Sequence, residues 1–236
     1  MRYDPGRDLG WLLLRPWVAI PRLVHVLWSL AGLVLVLLLR GGSSDAAVQQ
    51  GLARRILNTL TGLGPCFIKL GQALSTRPDL VRRDWLEELT RLQDDLPAFP
   101  HATALACIRE ELGAPAEELF EEFPDTPIAA ASLGQVYKAR LQGQHWVAVK
   151  VQRPNLTFIL RRDLVLIRAL GVLTAPLLPL NLGFGLGGII DEFGRSLFEE
   201  IDYGLEAANA ERFSTLFADN DAVYIPKVER MLSSTR

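Results

Sequence analysis

The first 44 residues are set apart by a long apolar stretch. Residues 23–39 carry no formal charge over 17 positions, and His25 and Ser29 are the polar interruptions. As a helix this run would extend about 26 Å, just under the roughly 30 Å hydrocarbon core of a bilayer. The arginines and tryptophans around it are typical of a membrane interface. We predict that residues 1–44 associate with a membrane, crossing it or lying in it. A helix buried against the protein's own core is the alternative.

After this segment the apolar positions recur at helical spacing. Ser44 or Asp45 can cap a helix that ends near Leu63, and Pro65 suits the first turn of the next helix. Two more helices are predicted over residues 82–93 and 102–112, followed by a short acidic helical turn over residues 115–122. Residues 45–122 therefore form a predicted helical extension.

Strand signals begin near Phe123 and are strongest in a hairpin. Residues 135–141 and 146–151 are rich in β-branched and aromatic side chains, and Gln142-Gly143 supplies a turn between them. A helical pattern then returns over about residues 156–173, and a final long helix is predicted over residues 189–218. A further strand is predicted over residues 224–229.

The stretch from residue 169 to residue 190 contains no charged side chain. Pro176, Pro179 and five glycines within it argue against one continuous membrane-spanning helix. Two interpretations stay open, a second surface that faces a membrane or a partner, and a buried helix–loop–helix.

The composition excludes several classes of function. A net charge of −2 gives no reason to expect a nucleic-acid partner. Cys66 and Cys107 have no paired spacing, so neither a disulfide framework nor a zinc site is predicted. The three histidines are scattered, and we predict no protein metal site.

The segment before the hairpin has the spacing of a kinase nucleotide loop. Such loops read GxGxxGxV and are followed by a strand that reads VAIK. Here the loop reads Ala129-Ala130-Ala131-Ser132-Leu133-Gly134-Gln135-Val136, and the strand reads Val147-Ala148-Val149-Lys150. Alanine occupies two of the three glycine positions, and its Cβ restricts the backbone. We predict a loop that covers a nucleotide stiffly. An ordinary hairpin with small residues is the alternative.

Three strings together resemble the UbiB/AarF family of atypical, protein-kinase-like proteins. They are AAASLGQVYKA, VAVKVQRP and FIKLGQALSTRPDLV. The last matches the KxGQ signature of the family, whose helix folds over the nucleotide site. The resemblance therefore implies a regulatory role for Lys69, Gly71 and Gln72.

A fourth matching string is FEEIDYGLEAANAERF. Acidic residues on a helix are usually just solvated, and Glu199, Asp202 and Glu206 would form one such stripe. In a kinase, however, a helix glutamate pairs with the strand lysine. The family's ExD motif, here Glu200-Ile201-Asp202, is followed by that glutamate, here Glu206.

The resemblance thus implies a site. Lys150 and Glu206 are the predicted catalytic pair, with Lys150 on the inner face of its strand beside Val147, Val149 and Val151. Glu200 and Asp202 are predicted to be regulatory and to face Lys69 or a metal ion. The predicted nucleotide contacts are Ala129, Ala130, Ala131, Ser132, Leu133, Gly134, Val136, Ala148 and Lys150.

The predicted fold class is α+β, with a kinase-like N-lobe over residues 123–236. No HRD-like or DFG string occurs before Arg236, so we expect a fragment without the C-lobe. The implied cofactors are ATP or ADP with Mg²⁺, whose ligands would come mostly from that second lobe.

The implied activity is that of an atypical kinase or ATPase at the cytoplasmic face of a membrane, in isoprenoid quinone or prenyl-lipid metabolism. Membrane lipid or prenyl-lipid and lipid-biosynthesis proteins are the implied partners. One alternative is a nucleotide-gated adaptor for such proteins. Another is a purely structural membrane protein without a nucleotide site.

Overall fold

A computed structural model describes residues 3–79, 81–92, 97–143, 145–177 and 185–236, apart from the side chains of residues 84 and 177. The fold is α+β, as predicted. Helices before the sheet are α1 (Pro5–Leu13), α2 (Pro16–Arg40), α3 (Ala46–Leu63), α4 (Pro65–Ser75), α5 (Arg83–Thr90), α6 (His101–Leu112) and α7 (Ala116–Leu119). The strands are β1 (Phe120–Glu122), β2 (Ala129–Ala130), β3 (Gly134–Leu141) and β4 (Trp146–Gln152). The later helices are α8 (Leu156–Thr174), α9 (Leu186–Glu200) and α10 (Tyr203–Leu216), and a 3₁₀ turn spans Arg230–Leu232.

Local chemistry explains several helix boundaries that the sequence predicts. The Asp45 side chain accepts a hydrogen bond from the Ala47 N–H at 2.8 Å and so caps α3. Gly64 ends that helix with a φ of 93°, a conformation that favours glycine. Pro65 occupies the first turn of α4, where its missing N–H costs nothing.

The sheet is antiparallel, with β3 at its centre. β4 pairs with one edge of β3, and β1 and β2 pair with two ends of the other edge. The first strand begins at Phe120, three residues before its predicted start. In the hairpin Val136 lies opposite Lys150, and Tyr137 lies opposite Val149.

The two faces of the hairpin differ in burial. Tyr137, Ala139 and Val151 are buried in a cluster that α6 covers. The opposite face carries Lys138, Ala148 and Lys150, which are exposed. This open face is where the candidate site lies.

A second and larger core joins the helices around the sheet. Leu156, Leu160 and Leu164 of α8 are almost fully buried there. Side chains of α2, α4 and α9 pack around them, as does Leu133 from the loop before β3. The loop is therefore anchored in the helical core.

The predicted long helix over residues 189–218 is wrong, since the chain forms two helices there. α9 ends at Glu200 and α10 begins at Tyr203. Asp202 stands between them in an extended conformation, and its carboxylate accepts a hydrogen bond from the Leu205 N–H at 3.3 Å. An aspartate that caps a new helix interrupts the old one. The predicted stripe of carboxylates is therefore not one continuous helix face.

The predicted strand over residues 224–229 is also wrong. Its backbone is irregular and pairs with no strand in the part of the chain that the structure describes. Tyr224 is 88 % exposed. A β-strand forms its backbone hydrogen bonds with a neighbouring strand. An alternating side-chain pattern does not by itself provide that neighbour.

α2 is the one helix among the described residues that is long and apolar enough to cross a membrane. It extends over 25 residues, of which Val26 and Leu33 are buried against the protein. The alternative of a helix buried in the core therefore describes only one side of α2.

The uncharged stretch over residues 169–190 lies partly outside the described residues. Its described parts belong to the end of α8, a 3₁₀ turn and the start of α9. Gly171 lies so close to the Ile190 side chain that a Cβ would come within 2.6 Å of it. The two helix ends therefore pack against each other.

Candidate nucleotide-binding site

The predicted contact between Lys150 and Glu206 is present. The Lys150 Nζ of β4 donates a hydrogen bond to the Glu206 Oε2 at 2.7 Å. Glu206 lies in the first turn of α10, where the helix dipole favours a negative charge. The pair thus joins the open face of the sheet to the start of α10.

The surroundings of this pair differ from the prediction. Lys150 does not lie beside Val147, Val149 and Val151, because neighbouring residues in a strand point to opposite faces. Its side chain is 42 % exposed and that of Glu206 is 55 % exposed. An exposed ion pair contributes only about 0–1 kcal/mol to stability. The pair therefore holds an accessible ammonium in place more than it stabilises the fold.

Tyr203 completes this group, and the sequence interpretation missed it. The Lys150 Nζ lies 4.5 Å from the centroid of the Tyr203 ring, within the range of a cation–π contact. The buried Tyr203 hydroxyl has no hydrogen-bond partner among the described residues. Burial, followed by the charges of Glu206 and Glu200, raises the pKa of Tyr203. The tyrosine between Asp202 and Glu206 was the available signal.

Close packing around position 134 leaves no room for a side chain. A Cβ built there would lie 2.6 Å from the Val151 carbonyl oxygen and 2.7 Å from the Tyr203 hydroxyl. Only glycine lets the loop approach both β4 and α10 so closely. Gly134 therefore fixes the position of the loop above Tyr203.

The alanine-rich loop is closed by the protein's own hydrogen bonds. The Ala131 N–H donates to the Gly134 carbonyl at 2.8 Å. The Arg153 guanidinium donates to the Ala131 carbonyl at 3.0 Å and to the Pro97 carbonyl at 2.7 Å. The Arg153 N–H donates to the Leu133 carbonyl at 2.9 Å. Arg153 is thus a clamp on the loop that the sequence interpretation did not identify.

The predicted nucleotide contacts fall into two groups. Ser132, Leu133 and Gly134 are buried. Their contact with a nucleotide stays a prediction, as it does for the rest of the loop. The accessible or partly accessible members are Ala129, Ala130, Ala131, Val136, Ala148 and Lys150.

One residue of the KxGQ motif reaches the site. Lys69 of α4 forms an ion pair with Glu200, the last residue of α9. The Gln72 amide instead donates to the Leu92 carbonyl at 2.7 Å. Gly71 packs against Leu60, whose Cδ1 would lie 2.7 Å from an added Cβ. Gln72 and Gly71 therefore hold α4 against its neighbours, while Lys69 links it to α9.

The residues fit a phosphate better than a metal ion. The accessible ammonium of Lys150 is a charged hydrogen-bond donor of the kind that phosphate oxygens accept. By contrast, the described residues contain no group of three or more carboxylate, histidine or cysteine side chains that could hold a metal. Glu200 is paired with Lys69, and Asp202 caps α10.

In comparisons with known proteins, residues 91–236 match the family model of the ABC1 atypical kinase-like domain. An uncharacterised protein of Synechocystis is 46 % identical over 226 residues, which cover 95 % of this chain and 40 % of that protein. The chloroplastic protein ACTIVITY OF BC1 COMPLEX KINASE 1 of Arabidopsis thaliana is 47 % identical over 81 % of this chain and 28 % of its own length.

An uncharacterised aarF domain-containing protein kinase of A. thaliana, also chloroplastic, is 40 % identical over 78 % of this chain and 26 % of its own length. Among solved structures, the erythromycin complex of a Mycobacterium tuberculosis protein aligns with a TM-score of 0.47 and 34 % identity, over 67 % of this chain and 40 % of that one. The chain thus spans 40 % or less of the length of these relatives.

Proposed function

Because the chain belongs to the ABC1 atypical kinase-like family, which includes the UbiB/AarF proteins, we propose that it forms the ATP-binding part of an atypical kinase or ATPase. The observation that carries this proposal is the pair of Lys150 and Glu206 on the open face of the sheet. In kinases a strand lysine held by a helix glutamate contacts the α- and β-phosphates.

The chain's own residues have distinct parts in this proposal. Lys150 supplies the positive charge, Glu206 orients it, and the Tyr203 ring supports it from one side. The loop that Arg153 clamps covers the nucleotide. When bound, ATP with Mg²⁺ would supply the phosphoryl group, and its metal ligands would come mostly from outside this chain.

We further propose that the KxGQ helix regulates access to this site. Its support is the ion pair of Lys69 with Glu200, which adjoins the turn that positions Asp202 and Glu206. Movement of α4 would have to break that pair. Glu200 would then be free to act toward a ligand or a cation.

The second candidate function is a nucleotide-gated membrane adaptor without turnover. The closed loop favours it, because Ala131 is held by hydrogen bonds on both sides and is not free to follow a phosphate. ATP turnover by a longer form that contains the second lobe, abolished by Lys150→Ala, would support the kinase or ATPase. Binding without turnover would support the adaptor.

The proposed setting is the cytoplasmic face of a membrane. The length and apolar composition of α2 support membrane association. On the resemblance of the sequence motifs we propose isoprenoid quinone or prenyl-lipid metabolism, with lipid-biosynthesis proteins as partners.

A thermal-shift experiment tests the nucleotide proposal. ATP or ADP with Mg²⁺ should raise the melting temperature of the wild type, because a ligand that binds only the folded state stabilises it. Lys150→Met should abolish the shift. Lys138→Met is the matched control, since Lys138 is an exposed lysine on the same face of the sheet. No shift in the wild type would refute nucleotide binding by this chain.

A further inference from the structure

α2 presents a continuous apolar face to the outside. At about 100° per residue, its exposed large side chains fall on one side of the helix. They are Trp17, Ile20, Val24, Leu27, Trp28, Val34, Leu35, Leu38 and Leu39. A surface of this size without a polar member indicates a lipid or protein contact.

The opposite side of α2 belongs to the protein. Val26 is fully buried in the helical core, and Leu33 is 8 % exposed. Arg22 forms an ion pair of 2.7 Å with the buried Asp163 of α8 and also donates to the Leu63 carbonyl at the end of α3. α2 is thus fastened along one side and is not surrounded by lipid.

A polar groove of about 310 Å³ lies between α2 and α3, next to the apolar face. Trp28 belongs to both, since it is 81 % exposed and also lines the groove. Arg55, Asn58 and Thr59 of α3 line the other wall. Gly32 of α2 lies beside the Arg55 guanidinium, which would be 3.9 Å from an added Cβ, an ordinary van der Waals contact.

The Arg55 guanidinium is available to a ligand. It is exposed and has no carboxylate partner among the described residues. Its neighbour Arg54, by contrast, forms an ion pair with Glu88 at 3.5 Å. The Thr59 hydroxyl donates to the Arg55 carbonyl at 2.8 Å, so the donors left to a ligand are the Arg55 guanidinium and the Asn58 amide, which suit phosphate oxygens.

We propose that α2 lies in the plane of the membrane surface and that the groove beside it binds the headgroup of an anionic phospholipid. This rests on the proposed membrane association. A helix that crossed the bilayer while fastened to α3 would carry Arg54 and Arg55 into hydrocarbon, where charged side chains are strongly disfavoured. In the plane, the apolar face meets acyl chains while α3 stays at headgroup depth.

Flotation with two kinds of vesicle tests this inference. The wild type should bind mixed phosphatidylcholine–phosphatidylglycerol vesicles more tightly than phosphatidylcholine vesicles. Arg55→Glu should weaken binding to the anionic vesicles by about fivefold or more, since one basic residue at a membrane surface contributes about that factor. Binding to the neutral vesicles should be almost unchanged. The matched control is Arg109→Glu, the same charge reversal at an exposed arginine of α6.

The outcomes distinguish failure of the headgroup groove from failure of the proposed membrane association. Equal losses for Arg55→Glu and Arg109→Glu, or no loss for either, would overturn the groove while membrane association stands. Protein that resists extraction with alkaline carbonate would overturn the in-plane orientation. An Arg55→Glu protein that changes its oligomeric mass would indicate a second copy in the groove and overturn the lipid site. Failure of the wild type to float with any vesicle would overturn membrane association itself.

Discussion

The Tyr203 hydroxyl lies under Gly134, so close that the side chain of alanine would not fit between them. The same tyrosine ring faces the Lys150 ammonium at 4.5 Å. The loop, β4 and α10 therefore meet at one aromatic side chain.

Gly134→Ala should destabilise the protein by about 1–3 kcal/mol, since the added methyl group meets a backbone carbonyl that cannot move easily. Ala131→Gly, at an exposed position of the same loop, should cost about 1 kcal/mol or less. Urea unfolding measures both. Equal free energies of unfolding for the two variants would contradict the packing around Gly134.

Arg153→Met should loosen the loop more than Ala131→Gly does. The guanidinium holds the carbonyls of Ala131 and Pro97, whereas Ala131→Gly leaves these bonds in place. Hydrogen exchange of the amides of residues 129–134 reports the difference. Faster exchange in Ala131→Gly than in Arg153→Met would show that the alanine side chain, and not the clamp, makes the loop stiff.

Tyr203→Phe should reduce the loss of unfolding free energy that the wild type shows at alkaline pH. The pKa of Tyr203 is raised in the folded chain, mainly by burial, so the folded state keeps this proton where the unfolded state loses it, and the stability of the wild type falls as the pH rises above about 10. At pH 7 the variant should be as stable as the wild type or more stable by about 1 kcal/mol, because an unpaired buried hydroxyl is gone.

The measurement for Tyr203→Phe is the free energy of unfolding at neutral pH and above pH 10. The phenylalanine ring keeps the contact with Lys150, so the comparison isolates the hydroxyl. Parallel pH curves for the wild type and the variant would contradict the buried position of that hydroxyl.

Arg22→Met should destabilise the protein by about 3 kcal/mol, because it removes a partner of the fully buried Asp163. Arg162 also contacts this carboxylate and keeps the loss near the lower end of the range for buried pairs. The control is Arg195→Met, which breaks an exposed pair with Glu192 and should cost about 0–1 kcal/mol. Equal losses would show that α2 is not fastened through Asp163.

The sequence was sufficient for the strands and helices whose boundaries depend on local chemistry. Asp45, Pro65 and the Gln142-Gly143 turn each act on the backbone within a few residues, so their effects could be predicted. The contact of Lys150 with Glu206 was predicted from the resemblance to a family, since 56 positions separate the two residues.

Other features depended on tertiary contacts that no local pattern contains. The accessible position of Lys150 follows from which face of the hairpin α6 covers. The segment after Tyr224 has no pairing strand among the described residues, whereas the break at Asp202 is a local helix cap that the sequence interpretation overlooked. Arg153 reaches the Pro97 carbonyl across 56 positions, which spacing could not reveal.

The central claim is that Lys150 and Glu206 act together to bind a nucleotide. Calorimetric titration of ATP with Mg²⁺ into the wild type, Lys150→Met, Glu206→Gln and the double variant tests it. Each single change should weaken binding by about tenfold or more, as expected when a charge-assisted hydrogen bond to a ligand is lost or misplaced.

The double variant decides the outcome. If Glu206 acts only by orienting Lys150, the double variant should bind ATP no more weakly than Lys150→Met alone. Losses that add, or wild-type affinity in Lys150→Met, would contradict the account.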